Sequence, residues 1–311
     1  MSRRRWQVVL FVLIAVSCMA GFLTPPFALA LGIALALTIG QPFPAFTHRW
    51  TKVLLQASVV GFGFGMNLAE VWVAGRTGFG FTLATVAGTM LLGWLVGRLL
   101  KVESQVSCLV SSGTAICGGS AIAAVGAVLD ADKRAMSVSL ATVFVLNAVA
   151  LFVFPVLGWK LGMNQEQFGL WAAIAIHDTS SVVGAAAKYG DQALQMATTV
   201  KLTRTLWIIP LSLGVALVTR RRGARITIPW FVLFFVMAAA VRSILPQGAA
   251  VYEGIRQVAK LGLTLTLFFI GCGLSREAVR KVGPRAMIEG VILWVAISLA
   301  GLVAVRSILG A

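Results

Sequence analysis

Apolar runs long enough to cross a bilayer follow one another along almost the whole chain. A span needs about 20 apolar residues, and the candidates are 6–23, 25–40, 53–70, 77–100, 104–129, 135–158, 165–187, 193–218, 228–245, 257–274 and 285–308. Nine of these eleven read as ordinary helices. The other two carry polar interruptions between apolar flanks. Segment 104–129 contains Ser111-Ser112-Gly113-Thr114-Ala115-Ile116-Cys117-Gly118-Gly119-Ser120, and segment 165–187 contains His177-Asp178-Thr179-Ser180-Ser181. Runs of Gly, Ser and Thr break helices or let backbones approach closely. Amides freed at membrane depth are tolerated only where they are buried in protein or line a cavity. The pattern predicts an all-α integral membrane protein, a single polytopic domain over 1–311. It would have about 9–11 transmembrane segments, two of them broken or re-entrant.

Composition agrees. Hydrophobic residues make up 59% of the 311 and charged residues 12%, against about 25% charged in a soluble domain; mean hydropathy is +0.93. The net charge of +16 would suggest nucleic acid in a soluble chain. Here the charges gather in short stretches: Arg3-Arg4-Arg5, His48-Arg49-Trp50-Thr51-Lys52, Arg220-Arg221-Arg222 with Arg225, and Arg276, Arg280, Lys281 and Arg285. That is the positive-inside signature, and it excludes a nucleic-acid partner in favour of membrane lipid. It places the N-terminus, and the loops 41–52, 219–227 and 275–285, in the cytoplasm, with the C-terminus outside. The first span is read as retained. Trp50, Trp72, Trp94, Trp159, Trp171, Trp207 and Trp230 fall mostly near predicted helix ends, as in an aromatic belt. Cys18, Cys108, Cys117 and Cys272 lie in apolar segments without CxxC pairing or zinc-site spacing, so neither a disulfide framework nor a metal is expected.

The chain also repeats itself. The run from Lys52 through Gly63, Gly65 and Asn67 resembles the run from Lys260 through Gly271, Gly273 and Ser275, and the same offset carries Gly93 onto Gly301 and Arg98 onto Arg306. A second pair aligns Ser120–Gly126 with Ser180–Ala186, each run leading into a helix that reaches a proline, Pro155 or Pro210. Weak internal symmetry of this kind marks transporter repeats. Parity refines the picture. Segments 53–70 and 257–274 are seven apart and run in opposite directions; segments 104–129 and 165–187 are two apart and, as full spans, would run the same way. An inverted repeat demands opposite directions. Two re-entrant hairpins dipping from opposite faces and meeting near the midplane satisfy both pairs; broken through-spans are the alternative.

Ionisable groups at membrane depth cost at least about 2.5–3.5 kcal/mol and are kept where they face a partner or a cavity. His177 and Asp178, with Lys201 and Arg204 about one helix later, form such a group. Lys201 and Arg204 are three apart and share a helix face. Either both face a cavity, or one snorkels to the interface. With Asp178 offsetting one of the two cations, a net positive charge remains, which selects anions. Ser112, Gly113, Thr114, Cys117, Gly118, Gly119 and Ser120 then offer hydroxyls, a thiol and approachable backbone, and Thr179, Ser180 and Ser181 the opposing half. Free amides at a helix break hold anions. The competing readings are close helix packing through small residues for 113–120 and a polar loop end for 177–181. Asn147 reads as an interhelical hydrogen bond.

At these motifs the chain resembles the YeiH-type sulfate exporter family. The residues carrying the likeness are the run from Gly113 to Gly126, the run from His177 to Asp191, and Lys201-Leu-Thr-Arg204-Thr-Leu-Trp-Ile-Ile-Pro210. The resemblance covers nearly the whole length. It implies a transporter of the bacterial inner membrane, distant kinship with cation:proton antiporter and bile-acid symporter folds, broken helices crossing at the site, and a homodimer. The expectation is a secondary active transporter of a small anion (sulfate, an organic sulfonate or a carboxylate) held between two interrupted helices. No GxxxxGK[ST] run is present, so ATP does not drive it directly. No cofactor is expected beyond a coupling H⁺ or Na⁺, with Asp178 or His177 as proton carrier. One rival is a cation/proton antiporter built on Asp178. Another, of a different class, is an intramembrane enzyme with Cys117 as nucleophile and His177 as base; the expectation is that the protein is not an enzyme.

Overall fold

The computed structural model describes residues 3–219, 230–273 and 283–309. The basic positions Arg220, Arg221, Arg222, Arg225, Arg276, Arg280 and Lys281, and the repeat position Ser275, lie outside the described residues. Among the described residues every regular element is helical. Five stretches are long and apolar enough to cross a membrane by length and composition: Thr82–Leu99, Lys133–Lys160, Asp191–Val218, Pro246–Gly273 and Pro284–Leu309. The protein is an all-α integral membrane protein. Its internal contacts gather into two compact units, one from 1–72 and 230–278, the other from 73–229 and 279–311.

The first unit contains α1 (Arg3–Met19), α2 (Pro25–Thr38), α3 (Pro44–Gly63), α12 (Trp230–Ile244) and α13 (Ala249–Gly273), which follows a 3₁₀ turn at Pro246–Gly248. α13 packs on α2 and α3, and α12 on α3. Glycines set these approaches. A Cβ at Gly32 would collide with the Phe268 carbonyl oxygen, and one at Gly271 with that of Leu29. At Gly63, the repeat counterpart of Gly271, a Cβ would stand 2.6 Å from the Phe235 carbonyl of α12. Both members of the repeat therefore do the same packing work. Phe11, Phe268 and Phe269 fill the space beside them, with Phe11 edge-on to Phe43 at 5.5 Å and stacked on Phe269 at 5.8 Å. Asn67 lies at the start of the next helix, where its Oδ1 accepts from the Ala69 amide and from the Ser243 hydroxyl of α12.

The expected basic loop 41–52 is shorter than the hydropathy suggests. α3 starts at Pro44, so Arg49 to Lys52 occupy its first turns. Proline suits the first helical position, because its missing N–H would be unpaired there anyway, and a hydropathy window sees only the apolar part of the helix.

The second unit contains the rest of α4 (Leu68–Leu99), then α5 (Ser104–Ala115), α6 (Gly119–Leu129), α7 (Lys133–Lys160), α8 (Gln165–Ala175), α9 (Thr179–Tyr189), α10 (Asp191–Thr205), α11 (Ile208–Val218) and α14 (Pro284–Leu309). Segments 104–129 and 165–187 are re-entrant hairpins. At the mouth of the first, the Gln105 side chain of α5 accepts from the Asp132 amide just past α6. At the mouth of the second, Gln165 of α8 accepts from the Gln192 and Ala193 amides just past α9. Each hairpin thus leaves at the end it entered. The two mouths sit at opposite ends of α7, whose 28 residues span about 42 Å. Asp132 caps its start by accepting from the Ala135 amide, and Trp159 near its finish stacks on Tyr189 of α9.

The two hairpins match at an offset of 60 throughout. Gln105 corresponds to Gln165 and Asp132 to Gln192. Asp130 (φ +50°) corresponds to Gly190 (φ +152°), both at hairpin exits. A side chain at Gly190 would collide with Gln165, while Asp tolerates the left-handed region. The longer offset holds too: a Cβ at Gly93 of α4 would collide with Ser111 of α5, and one at Gly301 of α14 would stand 2.9 Å from Ile174 of α8. Segment 193–218 bends at Leu206–Trp207, where i→i+3 bonds from those amides to Thr203 and Arg204 tighten the turn. The cause is Pro210, which cannot donate to the Leu206 carbonyl. Trp171 departs from the expected belt: it is buried, and its Nε1 donates to the Ser298 carbonyl of α14 at 2.9 Å.

In a variant lacking the four native cysteines, single cysteines at Glu103 and Ala131 should react with a membrane-impermeant maleimide from one side of the membrane. Cysteines at Gly162 and Asp191 should react only from the other. Labelling of 103 and 131 from opposite sides would show through-spans instead.

Candidate functional site

The hairpin tips meet. A Cβ on Gly118, at the first tip, would stand 3.4 Å from both Cα and Cβ of Asp178 at the second. Four half-helix ends therefore converge: the C-termini of α5 and α8 and the N-termini of α6 and α9. Each leaves backbone groups without intrahelical partners, which a membrane-buried chain must satisfy from within or at a cavity.

Three of the four ends are filled by side chains. Lys201 of α10 is fully buried, and its Nζ donates to the Ile176 carbonyl at 2.7 Å and the Ala173 carbonyl at 3.3 Å, closing the C-terminus of α8. Arg204, one turn on and 1% exposed, donates from Nη2 to the Ala115 carbonyl at 2.7 Å, closing the C-terminus of α5; its Nη1 reaches Thr85 Oγ1 of α4 at 3.4 Å. Neither residue snorkels. Asp178 is the N-cap of α9. Its Oδ2 accepts from the Ser180 amide at 3.1 Å, the Ser181 amide at 3.3 Å, and the Ser180 hydroxyl. The cations sit on negative dipole ends and the carboxylate on a positive one, the favourable sense in each case.

The fourth end has no capping side chain at its N-cap position. The residue at the N-cap of α6 is Gly118, the 60-residue counterpart of Asp178, with φ +66° and no side chain to cap with. Gly119 is half-buried and Ser120 exposed, so the first turn of α6 is accessible. Cys117 is buried, with its sulfur against the Ala121 amide and the Thr205 hydroxyl.

The other expected positions divide. Thr114 is buried with an unpartnered hydroxyl, and His177 is fully buried with both ring nitrogens unpartnered. No hydrogen bond therefore joins His177 to the Cys117 thiol. Thr179, Ser180 and Ser181 are buried in the first turn of α9. Ser112 donates back to the Cys108 carbonyl of its own helix at 2.6 Å, and Gly113 packs against Ile122 and Val143; these two serve packing. The expected offset between Asp178 and the cations takes another form. Among the described residues no ion pair joins Asp178 to Lys201 or Arg204; each instead neutralises a helix end. Nor do those residues contain a group of three or more His, Cys, Asp or Glu side chains that could hold a metal ion.

Residues 7–290 match the family model described as conserved hypothetical protein 698. The UPF0324 membrane protein of Bacteroides thetaiotaomicron is 52% identical over 288 residues, 91% of this chain and 86% of that protein. The chain belongs to this family. The UPF0324 membrane protein of Vibrio vulnificus is 45% identical, covering 93% of this chain and 94% of its own length, and that of Geobacter sulfurreducens is 45% identical at 95% coverage of each. No solved structure matches the chain. The family resemblance read from the sequence is borne out, as is a multi-pass membrane location.

Asn147 does more than the interhelical bond expected of it. Its Oδ1 accepts from the His177 amide at 3.1 Å and the Asp178 amide at 3.3 Å, satisfying the unwound turn from α7. Its apolar surroundings in sequence were the available signal, since a buried amide side chain needs partners.

Asp178→Ala should lower the unfolding free energy of the purified protein by about 1–2 kcal/mol, the usual worth of an N-cap, while Asp178→Asn, which keeps an acceptor, should lose less than half as much. Thermal unfolding in detergent measures both. Equal losses would show that the acceptor oxygen is not what matters.

Proposed function

We propose that the protein is a secondary active transporter that binds a small anion at the open N-terminal turn of α6. One observation carries this reading: of four helix ends meeting at the hairpin tips, three carry a compensating side chain and the fourth, a positive one, carries glycine. An anion there would complete for α6 what Asp178 does for α9. Free amides at a helix N-terminus favour negative charge, and nearby Lys201 and Arg204 against the single Asp178 leave a positive balance of one.

The substrate class follows from the acceptor that fits. Asp178 shows that one carboxylate oxygen satisfies two amides and a hydroxyl. Sulfate, an organic sulfonate or a carboxylate presents the same oxygens to the amide and hydroxyl of Ser120, the counterparts of those of Ser180, and to the Gly119 amide, while the Ala121 amide, the counterpart of that of Ser181, meets the Cys117 sulfur. With Asp178 engaged at α9, a cation would have to displace its partners, which weighs against antiport built on that carboxylate. The unformed Cys117–His177 contact weighs against the enzyme reading. Nine crossings remain when the two hairpins are set aside from the eleven candidate spans. An odd number keeps the termini on opposite sides, with the N-terminus in the cytoplasm of a bacterial inner membrane as the positive-inside rule directs.

Purified protein should be stabilised against heat by sulfate, an organic sulfonate or a dicarboxylate at fixed ionic strength. Lys201→Met should raise the half-saturating concentration about tenfold or more, equivalent to about 1.4 kcal/mol. Proteoliposomes should take up the labelled anion saturably. Sodium-dependent proton movement without a response to any anion would contradict the proposal.

A further inference from the structure

A second buried ionisable site lies apart from the hairpin tips. Glu289 of α14 is fully buried. Its Oε1 accepts a 2.6 Å hydrogen bond from the Ser107 hydroxyl of α5, and that hydroxyl also lies 3.2 Å from the Gly93 carbonyl of α4. Glu289 Oε2 has no partner. Room for the carboxyl comes from Gly97 of α4, where a Cβ would stand 3.1 Å from Oε1 and collide with Ser107. On its other side, Gly290 faces the apolar ends of Thr142 and Leu146 of α7.

The described charged groups of the surrounding helices are elsewhere. Arg98 and Lys101 at the end of α4, Glu103 before α5, Lys133, Arg134 and Lys160 on α7, Glu166 on α8, and Arg285 and Arg306 on α14 itself are all exposed. The half-buried Cys108 thiol of α5 is a titratable neighbour that feels its charge. Among the described residues no cation compensates Glu289. A lone carboxylate there would be an uncompensated buried charge, several kcal/mol unfavourable even after relaxation, yet the side chain is provided with a fitted hydroxyl donor and a glycine-lined space. An ionisable residue kept at such a place is by default a functional one. It also has a short route out. Glu289 is five residues from the start of α14, about 7.5 Å along the axis, and Arg285, one turn earlier, is exposed and bonds the Lys101 carbonyl at 3.4 Å.

We propose that Glu289, held by Ser107, is a proton-binding carboxyl distinct from the anion site, and that its proton is the one coupled to transport. Water at the nearby helix end delivers the proton. It forms an O–H bond at Oε2, which removes the buried charge, and breaking that bond returns it to water; Ser107 keeps Oε1 throughout. The coupling half of the proposal rests on the transporter reading, whereas proton binding stands without it.

Infrared difference spectra of the purified protein in lipid nanodiscs, recorded between acid and alkaline pH, test proton binding. The carbonyl band of a protonated carboxylic acid should appear on acidification in the wild type and be missing in Glu289→Gln. In Ser107→Ala, which keeps the acid but removes the donor to its carbonyl, the band should move to higher frequency. Asp178→Asn should retain it unchanged. A wild type with no band that Glu289→Gln removes, or a band that Ser107→Ala leaves unmoved, would overturn the assignment. So would displacement of the band by sodium at constant pH, which would make this a metal-cation site. In proteoliposomes, an imposed pH gradient should change anion uptake by the wild type and not by Glu289→Gln; an equal response in both would overturn the coupling. A protein that moves no anion at all would fail the transport reading and still show the band.

Discussion

Backbone groups freed inside a bilayer have to find partners, and the second unit of this protein is arranged around that requirement. Two helices stop partway through their segments and restart, leaving carbonyls and amides without intrahelical partners. The groups that meet them are the most polar in the region: Lys201 and Arg204 on the carbonyl ends, Asp178 on one amide end, and Asn147 on the unwound turn between. Each of these side chains would be expensive at that depth alone. Paired with the opposite pole of a half-helix, each becomes a means of holding an interrupted backbone in place. The uncapped α6 terminus stands out against that background, because elsewhere at the crossing the requirement is met from within the chain.

Much of this was legible in the sequence because it depends on local composition. The two interrupted segments, the tips at Gly118 and Asp178, and the buried pair at Lys201 and Arg204 all follow from polar residues in apolar runs. Parity favoured hairpins over through-spans, and the Gln105 and Gln165 bridges bear that out. Partner assignment was less accessible. The expected pairing of Asp178 with the cations gave way to pairing with helix dipoles, since a helix end has no side-chain signature of its own. Ser112 and Gly113 look like site residues in a Gly/Ser/Thr run, but the helix turns them toward their own carbonyls and toward Ile122. Glu289 is not legible as a site residue, although it is acidic and lies inside the apolar segment 285–308; a single carboxyl carries little pattern, and its significance appears only with Ser107 and Gly97 around it.

The internal repeats are explained by packing. Gly63 and Gly271 admit a neighbouring helix backbone in the first unit, and Gly93 and Gly301 admit the outer half of each hairpin in the second. Positions where a side chain would collide with a packed neighbour tolerate little change, and the duplication is readable there. At the hairpin tips the repeats diverge at the helix caps. One carries Asp at the N-cap and the other Gly, so α9 has a side-chain cap that α6 lacks.

Anomalous diffraction from crystals soaked in selenate tests this account most directly. It should place a selenium peak within hydrogen-bonding distance of the Gly119 and Ser120 amides, with Asp178 still capping α9. A peak absent from the first turn of α6 under conditions where the anion stabilises the protein would contradict it.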